Sequence, residues 1–333
     1  PVTVNWQIGT AIEMTDQDVI EALESAPEKV KRFKGEVAKL IVGQAEAVEL
    51  ITMSILVGGH SLLIGVPGLA KTLLVTTVSE ALGLKFSRIQ FTPDLMPTDI
   101  TGTEILNKDR VFEFRKGPVF ANVILADEIN RTPPKTQAAL LESMQEKRVS
   151  VGGVTYELPK PFFVLATQNP IEQEGTYPLP EAQLDRFLFN IAVGYPTKKE
   201  EEEVVRQTTI SRDVSIQKVF TAEAIGELQE ALRRLPVVDE TIEYAVNLVR
   251  RTRPNSDDCH PRAQEYLNWG AGPRASQNLI LAAKAKSIMD GQGSPTISHV
   301  KAVAKPILRH RIVINYKAKA EGLSPEDIIE QLL

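Results

Sequence analysis

The stretch Gly65-Val66-Pro67-Gly68-Leu69-Ala70-Lys71-Thr72 nearly satisfies the phosphate-loop pattern G-x-x-x-x-G-K-[ST], with Ala70 where the pattern asks for glycine. Backbone N–H groups from Val66 to Thr72 would cradle phosphates at the head of the following helix, where the helix dipole favours anions. Lys71 would reach the β and γ phosphates, and the Thr72 hydroxyl would ligate Mg2+. A tight strand–helix turn with a surface lysine would read the same way, so the loop needs partners elsewhere in the chain. Gly65 and Gly68 mark the sharp turns where positive φ is cheapest. Ala70, at the helix entry, is expected at negative φ, so that its methyl group is tolerated.

Further polar residues sit at the ends of apolar runs. "VILADE" ends in Asp127-Glu128, two acids at the carboxyl edge of a buried strand, where open α/β sheets bind ligands. Asp127 would hold the metal, directly or through water, and Glu128 would polarise an attacking water. Asp-Glu after a strand also serves simply to cap the next turn. "VLATQNP" ends in Asn169, which would orient the same water; a turn-forming Asn before Pro170 is the plainer alternative. Arg186 in "EAQLDRF" and Arg274 in "GAGPRAS" are rigid forks suited to charge developing on a transferred phosphoryl group. Either arginine read alone is an ordinary surface ion pair.

The elements needed to position these residues follow from periodicity. Residues 15–58 read as helices, the first capped by Thr15 or Asp16. "SLLIG" is a short buried strand, and "KTLLVTTVSEALG" a helix stopped by Gly83, which together flank the loop as a phosphate site requires. Residues 85–91 read as a strand and 92–102 as a loop. "TEILN" and "RVFEFRKG" form a hairpin around Lys108-Asp109. Residues 122–128 are a buried strand and 133–148 a proline-opened helix. A second hairpin spans 149–158 around Gly152-Gly153, and strands follow at 161–169 and 186–196. Alternating strands and helices imply a mostly parallel sheet covered on both faces. "KKEEEEVVRQTT" is a charged helix with a solvated Glu200–Glu203 face. After a linker near 208–220, the chain from about 221 reads mainly as helices and looks like a separate all-helical domain.

The bulk composition excludes several classes. A chain of 333 residues suggests two domains. Its net charge of −5 argues against a main task of gripping nucleic acid. The single cysteine, Cys259, allows no intrachain disulfide and fits a reducing cytoplasm. The four histidines show no metal-ligand spacing, so no structural zinc is expected. The opening residues lack a signal-peptide pattern, and no 18-residue apolar run exists, so no membrane insertion is expected. Trp6 would anchor the opening arm or pack on a neighbour.

Taken together, "GVPGLAKT", "VILADEINR", "ATQNP", "LPEAQLDRF" and "GPRAS", in this order, resemble the AAA+ ATPases, and within them the MoxR family. "RIQFTPDLMPTDITG", "FRKGPVFANVILADEINR", "ALLESMQE" and "NPIEQEGTYPLPEAQLDRF" extend the likeness over roughly residues 30 to 310. The resemblance implies an α/β fold: a RecA-like parallel-sheet AAA+ domain with β-hairpin inserts at 30–210, an all-helical lid at 211–333, and an arm and helix at 1–29. It implies ATP and Mg2+, held between subunits of a homo-oligomeric, usually hexameric ring. Lys71 and Thr72 become the Walker A pair, with Val66, Pro67, Gly68, Leu69, Ala70 and Leu73 along the loop. Asp127 and Glu128 become Walker B, and Asn169 sensor 1. Arg186 becomes an arginine finger on the neighbour's ATP, and Arg274 sensor 2. Val42, Gly43 and Gln44 fall at the adenine pocket. The two hairpins, 102–117 and 149–158, would face the ring pore. "GLAKT" is the family's own form of the loop. Members are thought to be chaperone-like, maturing or inserting cofactors into target proteins, often beside a von Willebrand factor A domain partner. Two alternatives remain open: a magnesium-chelatase-like or DNA-associated motor on the same fold, and a nucleotide-locked regulatory module with little turnover.

Overall fold

The computed structural model describes residues 14–66, 68–108, 110–170, 175–210 and 214–333. Trp6, Pro67, Asp109 and the middle of the expected linker lie outside the described residues. The first helix, α1 (Asp16–Val37), starts at a capping box in which Thr15 and Asp18 satisfy each other's backbone N–H. It buries Ala26, Val30, Phe33 and Val37, a helical stripe. Then come α2 (Ala45–Val57), β1 (Ser61–Ile64), α3 (Lys71–Ala81), β2 (Phe86–Gln90) and α4 (Pro97–Thr101). The helix α4 lies where a loop was expected. Pro97 presets its first φ, and the Asp99 carboxylate accepts the Met96 N–H at 2.8 Å. Next are β3 (Gly102–Leu106), β4 (Phe112–Lys116), β5 (Val123–Asp127), a 3-10 turn (Ile129–Arg131), α5 (Pro134–Glu146), β6 (Arg148–Val151) and β7 (Val154–Glu157). After these run β8 (Phe163–Gln168), α6 (Glu181–Leu184), β9 (Phe189–Ala192) and α7 (Lys198–Thr208).

Strands β2-β5-β8-β1-β9 form one parallel sheet in that order. The central strands β1, β5 and β8 are mostly apolar because neighbouring residues enter different cores, whereas the edge strand β2 carries Ser87, Arg88 and Gln90. Leu62, Ile124 and Val164 face the core under α5, whereas Leu63, Leu125 and Leu165 face the core shared with α1, α3 and the C-terminal helices. The hairpins β3–β4 and β6–β7 pair antiparallel, as the alternating residues predict. They also meet each other: the rings of Phe114 and Tyr156 stack at 4.3 Å.

The C-terminal part comprises α8 (Ala222–Arg234), α9 (Asp239–Arg251), α10 (Pro261–Tyr266), β10 (Leu267–Trp269), α11 (Pro273–Met289), α12 (Ile297–Leu308), β11 (Val313–Ile314), α13 (Tyr316–Ala320) and α14 (Pro325–Leu332). It is helical apart from the β10–β11 ribbon, which periodicity could not announce in strands of three and two residues. At its centre, α11 packs on α12, α9 and α2, which ties this bundle to the sheet. Among the described residues no helix is long and apolar enough to cross a membrane.

Candidate functional site

Parallel strands bring their carboxyl ends to one edge, and the glycine loop, Asp127-Glu128 and Asn169 all follow strand ends there. Leu63 pairs with Thr167, and the Gly65 N–H donates to the Gln168 carbonyl at 3.4 Å. Gly65 is required by close approach rather than by positive φ, since a Cβ there would stand 2.6 Å from the Val193 carbonyl oxygen. Gly68 does take positive φ, at 84°. Lys71 opens α3 and donates to the Gly65 carbonyl at 2.6 Å. Thr72 follows in the first helical turn and Leu73 stands exposed beside it. Gln44 reaches the loop from the head of α2, its Nε2 donating to the Leu69 carbonyl at 3.1 Å. At neighbouring Gly43, a Cβ would meet the Glu200 carboxyl at 2.8 Å, so α7 overlies segment 42–44 and Glu200 is half-buried rather than part of a fully solvated face.

Ala70 overturns the expectation of negative φ. It is the N-cap of α3 at φ 52°, ψ 27°, left-handed. The expectation extended helical geometry one residue too far. The chain instead reverses at Ala70 before entering α3, the same manoeuvre that Gln44 makes at φ 53° before α2. Glu128 repeats it at φ 57° before the 3-10 turn. Of the six non-glycine residues with positive φ among those described, Gln44, Ala70 and Glu128 border this one edge. Backbone strain of this kind concentrates at functional sites.

The acids are held by residues that sequence reasoning missed. Thr167, fully buried in β8, donates its hydroxyl to Asp127 Oδ1 at 2.7 Å and accepts the Glu128 N–H at 2.8 Å. Arg88 of β2 donates to Asp127 Oδ2 from Nε at 3.1 Å and from Nη2 at 2.6 Å. Gln90 donates to Glu128 Oε2 at 3.0 Å, as does Arg131 Nη1 at 3.0 Å. The available signal was register: Arg88 and Gln90 alternate on β2, whose Gln90 pairs with Asp127. Asn169 is buried, at 4 % exposure, just past the end of β8.

The two arginines lie elsewhere, and together. Arg186 precedes Phe189, which pairs with Ser61, the first residue of β1. The glycine loop follows Ile64, the last residue of β1, so Arg186 stands at the opposite edge of the sheet. Its Nη1 donates to the Leu141 carbonyl at 2.9 Å, and it lines a cleft of about 250 Å³ with Glu142, Gln145, Glu146 and Gln183. Arg274 opens α11 and pairs with Asp185 at 2.9 Å, one residue from Arg186. Arg311, 6 % exposed, donates Nε to the other Asp185 oxygen at 2.8 Å.

A family model described as "ATPase family associated with various cellular activities (AAA)" matches residues 60–189, and one for the AAA lid domain matches residues 259–332. "Chaperone MoxR1" of Mycobacterium tuberculosis is 45% identical over 94% of this chain and 83% of its own length. The chain belongs to the MoxR family of AAA+ ATPases. "Protein MoxR" of Methylorubrum extorquens is 30% identical over 89% of this chain and 91% of its own. The crystal structure of a candidate ATPase from Cytophaga hutchinsonii superposes with a TM-score of 0.87 at 44% identity, covering 95% of this chain and 96% of that one.

The nucleotide and Mg2+ implied for a MoxR-family ATPase fit this edge. Among the described residues, and apart from Gly68's own chain neighbours, no atom lies within 4 Å of where a side chain on Gly68 would stand, which leaves the front of the loop open. Within segment 42–44, Gln44 Oε1 is buried without a hydrogen-bond partner among the described residues. Asp127 has three of about four acceptor positions taken, two on Oδ2 and one on Oδ1. The remaining position, on Oδ1, suits a metal-bound water.

Proposed function

We propose that this MoxR-family protein hydrolyses ATP at sites completed between subunits of a ring, and uses the turnover in chaperone-like remodelling of target proteins. The observation that carries the reading is the division of charge between the sheet's two edges. Loop, acids and Asn169 share one edge, while Arg186 and Arg274 share the other. Three residue rises of β1, about 10 Å, separate the levels of Ser61 and Ile64 before the loops are counted. A chain cannot easily bring its own Arg186 to its own loop, but head-to-tail packing of copies can.

In this reading Lys71 and the loop N–H groups bind the phosphates, and segment 42–44 meets the base. Thr72 and Asp127 would hold Mg2+, which neutralises phosphate charge when bound. Glu128 accepts the proton of the attacking water, and Gln90 and Arg131 hold its carboxylate until then. Asn169 fixes the water's orientation. The neighbour's Arg186 and Arg274 meet the charge that develops on the transferred group. We place such a ring, six-membered by family likeness, in the cytoplasm, with a von Willebrand factor A domain protein as partner and without nucleic acid as client.

Glu128→Gln tests the chemistry. It removes the proton acceptor at almost constant shape, so steady-state phosphate release should fall on the order of 10²-fold or more while ATP binding persists. Unchanged release in Glu128→Gln, or no ATP hydrolysis by the wild type at ring-forming concentrations, would sink the reading.

A further inference from the structure

The backbone around Arg186 is held from the C-terminal bundle by one buried guanidinium. Arg311 Nη2 donates to the Asp185 carbonyl at 3.0 Å and to the Phe187 carbonyl at 2.5 Å. Its Nη1 donates to the Leu188 carbonyl at 3.3 Å and also to the Ile307 carbonyl on α12. His310 contributes a bond from Nε2 to the Phe187 carbonyl at 3.1 Å. The carbonyls on both sides of Arg186 are thereby fixed, and its side chain is left to point into the cleft beside α5. The Asp185 carboxylate divides its oxygens: Oδ1 accepts Arg311 Nε at 2.8 Å and Oδ2 accepts Arg274 Nη1 at 2.9 Å.

We infer that Asp185 and Arg311 form a positioning pair that sets Arg186 and Arg274 as one unit for the neighbouring subunit's ATP. Arg311 is too buried to meet a nucleotide, with a side chain only 1% exposed. Its planar fork bridges several acceptors at fixed angles, which a lysine cannot do. Burial lowers its pKa only to about 10, with Asp185 opposing the shift, so it stays charged at neutral pH. Asp185 binds Arg274 through a single guanidinium nitrogen and so orients it without enclosing it. Motion of the bundle against the sheet would move both arginines together.

The inference rests on the ring ATPase reading, and mixing experiments separate the two. Asp185→Asn keeps the shape and removes the charge. Its own loop, acids and Asn169 remain, so kcat should fall on the order of 10²-fold, as for a slightly misplaced catalytic group, with KM for ATP little changed. Arg311→Lys should behave alike and decides the matter if Asp185→Asn does not fold. Each variant is then mixed with Glu128→Gln protein, which cannot hydrolyse but carries intact arginines. In equimolar random rings about a quarter of the wild-type rate should return, since half the subunits can turn over and half of those have a competent neighbour. A role confined to stability would give no such rescue. Arg186→Ala mixed with Glu128→Gln is the control. Rescue in the control but in neither positioning variant overturns the inference, as does unchanged kcat in the variants. Failure of the control itself overturns the ring reading.

Discussion

Ala70 holds a left-handed conformation that costs an L-residue roughly 1–2 kcal/mol. The loop therefore carries its alanine at an energetic cost that a negative φ would have spared it. What makes it tolerable is space: the residue is exposed, and its conformation matches those of Gln44 and Glu128 at the same edge. Ala70→Gly should relieve the strain and leave nucleotide affinity within a few-fold, because glycine adopts this conformation freely. Ala70→Val places a β-branched residue there and should weaken binding tenfold or more, by displacing Lys71 and Thr72. Titration with a fluorescent ATP analogue reads both. If the valine variant binds normally, the backbone argument is wrong; if the glycine variant raises hydrolysis by orders of magnitude, the natural loop is a decayed one. The placement of Lys71, Asp127, Glu128 and Asn169 at one edge was legible because each ends or follows a strand whose apolar run is plain in the sequence. Arg88, Gln90, Thr167 and Asp185 were not, because their meaning depends on which strands lie side by side. An order of β2-β5-β8-β1-β9 is a property of the folded sheet that no local pattern states.

Elements were legible where burial imposes a period. The five sheet strands, both hairpins and the long helices fall where alternation or the 3.6-residue stripe put them. Helices of five or six residues, such as α4, α10 and α13, are too short to show a stripe and depend on caps. The junction between elements holds a pH-sensitive feature. His60, just before β1, accepts the Val164 N–H at Nδ1, 3.0 Å away, and Nε2 bonds the Met144 carbonyl at 3.1 Å, pinning the end of α5 to the sheet. Burial, aided by the charge of Lys147, lowers its pKa to about 4. His310, also buried and beside Arg311, lies well below its usual value too. Both are neutral in the folded protein and protonate more readily when unfolded. The contribution of His60 to stability is thus complete above about pH 6.5 and is lost as pH falls from there toward 4, at about 1.4 kcal/mol per pH unit, and that of His310 changes in the same direction. The capping carboxylates Asp18, Glu200 and Asp327, with pKa values below the usual range, act only under more acid conditions. Urea midpoints between pH 8 and pH 5 should fall across this window, and His60→Asn should flatten the fall by one proton's worth. Parallel slopes for the two proteins would remove His60 from the explanation.

At the scale of the whole molecule, one sheet separates the two edges that the proposed mechanism needs together. The carboxyl edge has the loop, the acids and Asn169 but lacks Arg186 and Arg274, which stand beyond the start of β9. The exposed apolar residues Ile105, Leu106, Val111 and Phe112 crowd the first hairpin. In the proposed ring a second copy presents its arginine edge to this one, and a head-to-tail contact of this kind closes into a ring when its rotation allows. Hydrolysis per subunit should accordingly rise with protein concentration and level off once assembly is complete. Arg186→Ala should assemble and bind ATP but lose on the order of 10³-fold in kcat, the usual scale for a finger arginine. Light scattering and phosphate release measured on the same dilution series decide this. A rate per subunit that stays constant while the protein passes from monomer to oligomer would mean that each chain completes its own site, and that the arrangement of Arg186 and Arg274 at the far edge serves only to dock the bundle.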